Sequence, residues 1–140
     1  HVLDSSAIAL VLRRLGEKAV EFLEGEVTLD LAFYELGNVV WKECVVEKKM
    51  GVEEAVSRAG ELLSLLQTMV LERASSTEFA EDVMKIAVEQ GVTFYDSSYL
   101  SIARARNAVL VTEDAELLEK AGRVSVKAER GSEYLESYPV

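Results

Sequence analysis

Short apolar runs alternate along the chain with longer segments whose apolar residues recur at helical spacing. Runs such as Val2-Leu3 and Val109-Leu110-Val111 are apolar without alternation, which is typical of parallel strands buried on both faces. The pattern predicts strands at 2–4, 26–29, 70–73, 109–112 and 123–127, with one more short extended run at 92–95. It predicts helices at 6–14, 17–24, 31–49, 52–69, 77–90, 97–107 and 115–121.

Strands that alternate with helices in this order predict an α/β fold of three layers, with a central, mostly parallel sheet flanked by helices. A chain of 140 residues is the length of one domain, so we expect a single domain over 1–140. The helical hairpin over 31–69 is larger than a crossover between two strands needs. We therefore expect it to form one wall of the fold or a surface for pairing.

The composition excludes several classes of function. A net charge of −10 disfavours nonspecific nucleic-acid binding by the whole surface, but it leaves room for a local basic rim around a cation site. The only histidine is His1, which removes His-based acid–base catalysis and zinc sites that need imidazole. Cys44 is alone, so intramolecular disulfides are excluded, and its helical context predicts a buried thiol. No apolar run reaches the roughly 18 residues of a membrane span, and we expect a soluble, cytoplasmic protein.

Three of the five aspartates occupy equivalent places in the pattern. Asp4, Asp96 and Asp114 each follow a short apolar run and begin a segment of helical periodicity. Because the carboxyl ends of parallel strands meet at one edge, where open α/β sheets bind ligands, we expect these side chains to converge. Asp is also a favoured N-cap residue, so capping is a structural alternative for each of them. Asp30 is interpreted as a helix cap and Asp82 as a surface residue.

Glu35 is the fourth candidate because of its axial position. It lies five residues after Asp30, roughly 7.5 Å from the start of the predicted helix, at the end that faces the same sheet edge. Glu43 lies closer to the centre of the apolar stripe of that helix. It is about 12 Å further along the axis, however, and would be out of reach.

Four carboxylates in one cleft predict a cation. Without one, the charges would repel each other and raise each other's pKa values. Mg²⁺ or Mn²⁺ resolves the conflict, because hard cations take oxygen ligands. Such a site suits phosphodiester hydrolysis, in which one ion lowers the pKa of the attacking water and a second can stabilise the leaving oxygen. This chemistry needs no protein nucleophile and no histidine.

Four segments of the chain together resemble the PIN domain, most closely its single-domain VapC-type toxins. The segments, in chain order, are Val2-Leu3-Asp4-Ser5-Ser6-Ala7, Tyr34-Glu35-Leu36-Gly37-Asn38-Val39-Val40, Phe94-Tyr95-Asp96-Ser97-Ser98-Tyr99-Leu100-Ser101-Ile102-Ala103, and Leu110-Val111-Thr112-Glu113-Asp114. The resemblance implies a PIN-like fold and an Mg²⁺- or Mn²⁺-dependent endoribonuclease that acts on RNA. It also implies a homodimer and a cognate antitoxin protein that silences the enzyme.

The resemblance assigns roles by position. It implies that catalysis and metal binding rest on one acidic quartet, Asp4, Glu35, Asp96 and Asp114. It implies that Ser6, Asn38 and Thr112 are polar residues that orient ligands or water. Two positions depart from the family pattern: Ser97 stands where a small apolar residue is common, and Glu113 adds an acid beside Asp114.

Other readings remain open on the sequence alone. One is a PIN-like module without catalysis that binds RNA or a protein, although the intact quartet argues against it. Another is an aspartyl-phosphate phosphatase with Asp4 as nucleophile, but such enzymes use a second aspartate where this chain has Ser6. Arg104 or Lys42 are the basic residues we expect to contact RNA, with surface charge as the alternative. The hydroxyls of Ser6 and Thr112 have an alternative as ordinary helix-start and strand residues.

Overall fold

In the computed structural model, which describes residues 1–137, five parallel strands form one sheet in the order β3-β2-β1-β4-β5. The central strand β1 pairs with β2 at Val2 and Val27, and with β4 through Val2–Leu110 and Leu3–Val111. The strands are β1 (Val2–Leu3), β2 (Val27–Leu29), β3 (Val70–Glu72), β4 (Leu110–Val111) and β5 (Ala128–Glu129). Because all strands are parallel, their carboxyl ends meet at one edge, as the sequence predicts.

Eight α-helices surround the sheet in the described part of the chain. They are α1 (Ser5–Leu15), α2 (Ala19–Leu23), α3 (Leu31–Val45), α4 (Val52–Leu66), α5 (Thr77–Gln90), α6 (Phe94–Ala105), α7 (Ala115–Ala121) and α8 (Gly131–Glu136). Single turns of 3₁₀ helix follow α1 at Gly16–Lys18 and α7 at Gly122–Val124. Within residues 1–137 no helix is long and apolar enough to cross a membrane.

The apolar residues of the strands separate the helices into two layers. Leu3 and Val111 face a core formed with α1, α2, α3, α4 and α8, whereas Val2 and Leu110 face a second core formed with α5, α6 and α7. Successive strand residues point to opposite faces of a sheet, so two apolar residues in a row fill both cores. The predicted three-layer α/β fold is confirmed.

Several predicted boundaries are wrong. The run at 92–95 is not a strand: Thr93 caps α6, which begins at Phe94. The strand predicted at 123–127 is also wrong: only Ala128–Glu129 pairs with β4, and residues 123 and 124 belong to the 3₁₀ turn Gly122–Val124. The long helix predicted over 31–49 ends at Val45, and α8 was not predicted. Cys44, expected to be buried, is partly exposed on α3.

Candidate active site at the carboxyl edge of the sheet

Asp4 lies where β1 ends and α1 begins, and only 5% of it is exposed. Its Oδ1 caps α1 by accepting hydrogen bonds from the Ala7 amide (2.9 Å) and from the Ser6 hydroxyl (2.6 Å). Its Oδ2 accepts a hydrogen bond from the Thr112 hydroxyl. Burial raises the pKa of Asp4 against the opposing effect of these donors, and the nearby Glu35 charge raises it further.

The same two hydroxyls join the loop after β4 to the start of α1. The Glu113 amide donates to Ser6 Oγ (3.0 Å), and the Asp114 amide donates to Thr112 Oγ1 (3.1 Å). Ser6 Oγ and Thr112 Oγ1 are themselves 3.4 Å apart. Both hydroxyls expected from the sequence therefore lie on Asp4, and they fix the position of its carboxylate.

Asp114 is exposed and caps α7. Its Oδ1 accepts hydrogen bonds from the amides of Glu116 (2.9 Å) and Leu117 (3.3 Å). The capping alternative holds for Asp114 as it does for Asp4. It does not hold for Asp30, whose side chain makes no capping hydrogen bond at the start of α3.

Asp96 lies in the first turn of α6 and follows no strand. It is not the cap of this helix either, because the Thr93 hydroxyl accepts the hydrogen bond from the Asp96 amide (3.1 Å). Burial raises the pKa of Asp96, and the charges of Asp114 and Asp4 raise it further. The local prediction was therefore wrong, yet the structure brings Asp96 near both of its expected partners.

Glu35 contacts the site through Tyr99, an aromatic residue whose hydrogen bond to Glu35 the sequence did not indicate. The Tyr99 hydroxyl donates to Glu35 Oε1 (2.7 Å), and only 1% of Tyr99 is exposed. Burial raises the pKa of Tyr99 far above its usual range, and the Glu35 charge adds to the effect. The missed signal is the spacing from Asp96, since residues three apart lie on one face of a helix.

The four carboxylates influence one another without a basic partner. Glu35 raises the pKa of Asp4, and both Asp4 and Asp114 raise that of Asp96. Within residues 1–137 none of the four forms a salt bridge with a lysine or arginine. The sheet edge therefore carries uncompensated negative charge.

The donors at this edge have the chemistry of a hard-cation site, since they are carboxylate and hydroxyl oxygens. Asp4 Oδ2 accepts one hydrogen bond, and a carboxylate oxygen has two lone pairs. Among residues 1–137, however, no three acidic, His or Cys side chains lie close enough to hold one ion together. The donor type fits a divalent cation, but the side chains do not form a ready-made cage.

Within residues 1–137 the remaining polar candidates form no hydrogen bond or ion pair with these carboxylates. Asn38 is exposed on α3, one turn after Glu35, and Lys42 is exposed further along the same helix. Arg104 pairs with Asp82 of α5, and it is eight residues, or about 12 Å, along α6 from Asp96. Asp82, expected to be a surface residue, is half-buried and also accepts a hydrogen bond from Ser101 (2.6 Å).

Ser97, one of the two departures from the family pattern, is fully buried on α6. Its hydroxyl donates to the Val83 carbonyl oxygen of α5 (2.6 Å). A buried hydroxyl that keeps a hydrogen bond costs little, so the polar residue is accommodated between these helices.

Comparisons with known proteins agree with the fold. A family model described as PIN domain matches residues 1–123. The chain belongs to the PIN domain family. Two of the relatives of this chain are VapC proteins of Pyrobaculum aerophilum. Exonuclease VapC9 is 34% identical over 129 residues, which cover 91% of this chain and 90% of the relative. Ribonuclease VapC3 is 32% identical over 127 residues, covering 85% and 92%.

Solved structures give the same result. The crystal structure of PAE2754 from Pyrobaculum aerophilum is 32% identical, covers 96% of this chain and 92% of its own, and has a TM-score of 0.71. VapBC-1 from nontypeable Haemophilus influenzae is 13% identical with a TM-score of 0.63, over 94% of this chain and 97% of its own. At that identity the second likeness concerns the fold alone.

Proposed function

We propose that the whole chain is one PIN-like domain that acts as an Mg²⁺- or Mn²⁺-dependent endoribonuclease, the toxin of a toxin–antitoxin pair. The observation that carries the proposal is the uncompensated charge of Asp4, Glu35, Asp96 and Asp114 at one sheet edge. Acidic groups that lie close together without basic partners destabilise a fold unless a cation neutralises them. The names of relatives VapC9 and VapC3 support nuclease chemistry, and that of VapC3 supports RNA as substrate.

The quartet would hold the ion, although no three of its side chains meet at one point. Mg²⁺ retains several of its waters and is bound through one or two carboxylates together with substrate phosphates. A divalent ion here would lower the pKa of the attacking water and stabilise charge on the leaving oxygen. The spacing of the carboxylates is thus compatible with an ion bound partly through water.

The remaining residues hold the carboxylates in place. Ser6 and Thr112 donate to opposite oxygens of Asp4, so the carboxylate cannot rotate without breaking a hydrogen bond. The raised pKa of Tyr99 keeps its hydroxyl protonated, so it donates its hydrogen to Glu35. Asn38 remains a candidate for a water or substrate contact, on the resemblance alone.

We also propose that α3 and α4 carry the surface for a partner, either a second copy in a homodimer or an antitoxin. Large apolar side chains on these helices, and that of Val46 directly after α3, are about half exposed or more: Trp41 (53%), Val45 (52%), Val46 (57%), Val52 (73%) and Val56 (68%). Contiguous exposed apolar residues of this kind mark interaction surfaces on proteins.

The first test is calorimetric titration of the metal-free protein with Mn²⁺. Wild-type protein should bind saturably and Asp96→Asn should not. Glu43→Gln, on α3 but outside the quartet, is the matched control and should bind like wild type. If wild type fails to bind Mn²⁺ both alone and with a nucleotide phosphate added, the proposed metal chemistry is wrong, and a binding module without catalysis becomes the better description.

The second test separates the two modes of cleavage suggested by the relatives' names. Linear and circular RNA of the same sequence are incubated with Mn²⁺, with chelator as control. An endoribonuclease cuts both forms, whereas an exonuclease cannot start on a circle. If linear RNA is degraded and circular RNA is not, the enzyme is an exonuclease and the proposed endonuclease activity is wrong. Cleavage in the presence of chelator would refute metal dependence.

A further inference from the structure

Glu113, the extra acid beside Asp114, has a defined structural partner. It lies in the three-residue loop between β4 and α7, flanked by Thr112 and Asp114. Its backbone amide donates to Ser6 Oγ, which links the loop to α1. Its side chain reaches α8, where Oε2 accepts a hydrogen bond from the Gly131 amide (2.8 Å).

The start of α8 lies directly on α1 and on Glu113. Gly131 is buried, and a Cβ atom there would lie 2.5 Å from Leu10 Cδ2 and 3.3 Å from Glu113 Oε2. A Cβ atom at this position would fit only if the Leu10 side chain or the backbone moved. The Arg130 guanidinium adds a longer contact, 3.5 Å from the Glu113 carbonyl oxygen. The carboxylate of Glu113 is therefore enclosed between the loop and a close-packed helix start.

The far end of α8 is anchored independently. Tyr134 is 3% exposed, its hydroxyl donates to Glu26 Oε2 (2.6 Å), and its ring packs on Phe22 of α2. A helix held at both ends is a firm support for the loop that touches it. The family match ends at residue 123, so α8 lies outside the matched span.

We propose that Glu113 is a positioning residue through which α8 holds the loop that carries Thr112 and Asp114. The inference rests on the proposed function, in which Thr112 orients Asp4 and Asp114 belongs to the acidic quartet. The loop is clamped from two sides, by Ser6 of α1 at the Glu113 amide and by Gly131 of α8 at the Glu113 side chain. Loss of either hydrogen bond should make the same loop residues, from Thr112 to Asp114, more mobile.

The first experiment needs no metal and no substrate. Amide hydrogen exchange is measured on metal-free wild type, Glu113→Ala, Glu113→Gln and the control Glu133→Ala, an exposed acid on α8. Glu113→Ala should speed exchange at least about tenfold at Gly131, Glu113 and Asp114, whose amides are donors in this network. Glu113→Gln keeps an acceptor oxygen and should exchange like wild type, as should the control. Unchanged exchange at Glu113 and Asp114 in Glu113→Ala would overturn the proposal.

Gly131→Ala provides a variant that leaves Glu113 intact. The added methyl crowds Leu10 and the Glu113 carboxylate, so it should weaken the hydrogen bond between the amide of residue 131 and Glu113 and speed exchange in the same loop. If the amide of residue 131 exchanges faster in Gly131→Ala while Glu113 and Asp114 exchange normally, α8 does not hold the loop. The two variants thus approach one contact from opposite sides, and failure of one to fold leaves the other as the test.

The second experiment asks whether positioning reaches the cation. Removing a residue that orients a metal ligand weakens metal affinity by about 10- to 100-fold, so Mn²⁺ affinity should fall about tenfold in Glu113→Ala. Glu113→Gln should restore it to within about threefold. A lower unfolding temperature with unchanged Mn²⁺ affinity would reduce Glu113 to a purely structural role. If wild type binds no Mn²⁺, the proposed function fails. The exchange experiment still decides whether the contact between Glu113 and α8 holds the loop.

Discussion

Replacing Asp4 by Asn and by Ala separates its charge from its hydrogen bonds. Asn keeps Oδ1 to accept from Ala7 and Ser6, and replaces Oδ2 by an amino group. The Thr112 hydroxyl can accept from that group and turn its hydrogen toward Ser6 Oγ, 3.4 Å away. Ala removes every acceptor. Both variants remove the buried charge, so the difference between them measures the hydrogen bonds together with the side-chain volume that Ala leaves empty.

The size of that difference follows from the contacts. Loss of the cap on α1 costs about 1 kcal/mol. The hydroxyls of Thr112, which is fully buried, and Ser6 lose their carboxylate acceptor, which costs about 1–2 kcal/mol together. We expect Asp4→Ala to be about 2–3 kcal/mol less stable than Asp4→Asn, or about 6–9 °C in Tm for a chain of this size.

Asp4→Asn should be at least as stable as wild type at pH 7 in chelator. Burial and the Glu35 charge disfavour the ionised form, as the raised pKa of Asp4 indicates, and Asn removes that charge. It should also lose Mn²⁺ binding. The assay is urea and thermal unfolding of the three proteins with and without Mn²⁺, with circular dichroism to verify the fold. Equal destabilisation of both variants in chelator would refute the reasoning, because it would mean that the charge itself stabilises the fold.

Three further outcomes are expected. The pKa values of Asp4 and Asp96 are raised in the fold, so the metal-free native state binds more protons than the unfolded chain. The free energy of unfolding should therefore rise as the pH is lowered from 7 through these raised pKa values. Urea unfolding should show a smaller rise in Asp96→Asn. Tyr99→Phe removes the hydroxyl that donates to Glu35. It should weaken Mn²⁺ binding about tenfold by calorimetry and lower the free energy of unfolding by about 1 kcal/mol. Unchanged Mn²⁺ affinity would contradict a role of Tyr99 in positioning Glu35. Trp41→Glu should convert a dimer to a monomer in light scattering without altering Mn²⁺ affinity, whereas an unchanged mass would move the self-association surface away from α3.

The sheet edge could be predicted because its signals are local. Paired apolar residues at β1 and β4 identify strands buried on both faces. Asp4 directly follows β1 and Asp114 ends the short loop after β4, so both emerge at the edge where parallel strands end. Asp4 and Asp114 needed no further information. The edge strand β5 was harder, because it has two residues and its pairing depends on the position of β4 and not on its own sequence. The other edge strand, β3, was predicted at 70–73 and lies at Val70–Glu72.

Asp96 and Tyr99 show where local signals are insufficient. The apolar residues before Asp96 suggest a strand, but Thr93 caps a helix there. Asp96 therefore reaches the site only because α6 packs at that position in the fold. The Tyr99–Glu35 hydrogen bond joins α6 to α3 across 64 residues of sequence. Its residue types and helical positions were readable, whereas the packing that brings the two helices together was not. The role of Glu113 is of the same kind, since its partner lies on a helix that the pattern did not predict.

Capping and cation binding, which compete as explanations on the sequence, are compatible at the level of atoms. Asp114 uses Oδ1 for both of its capping bonds, and within residues 1–137 no donor bonds to its Oδ2. Asp4 uses Oδ1 for its cap and shares Oδ2 with a single hydroxyl. A carboxylate has about four acceptor positions, so helix starts can fix these two groups while lone pairs remain for an ion. The caps therefore favour the proposed site, because they hold two of its four carboxylates on rigid elements before a cation arrives.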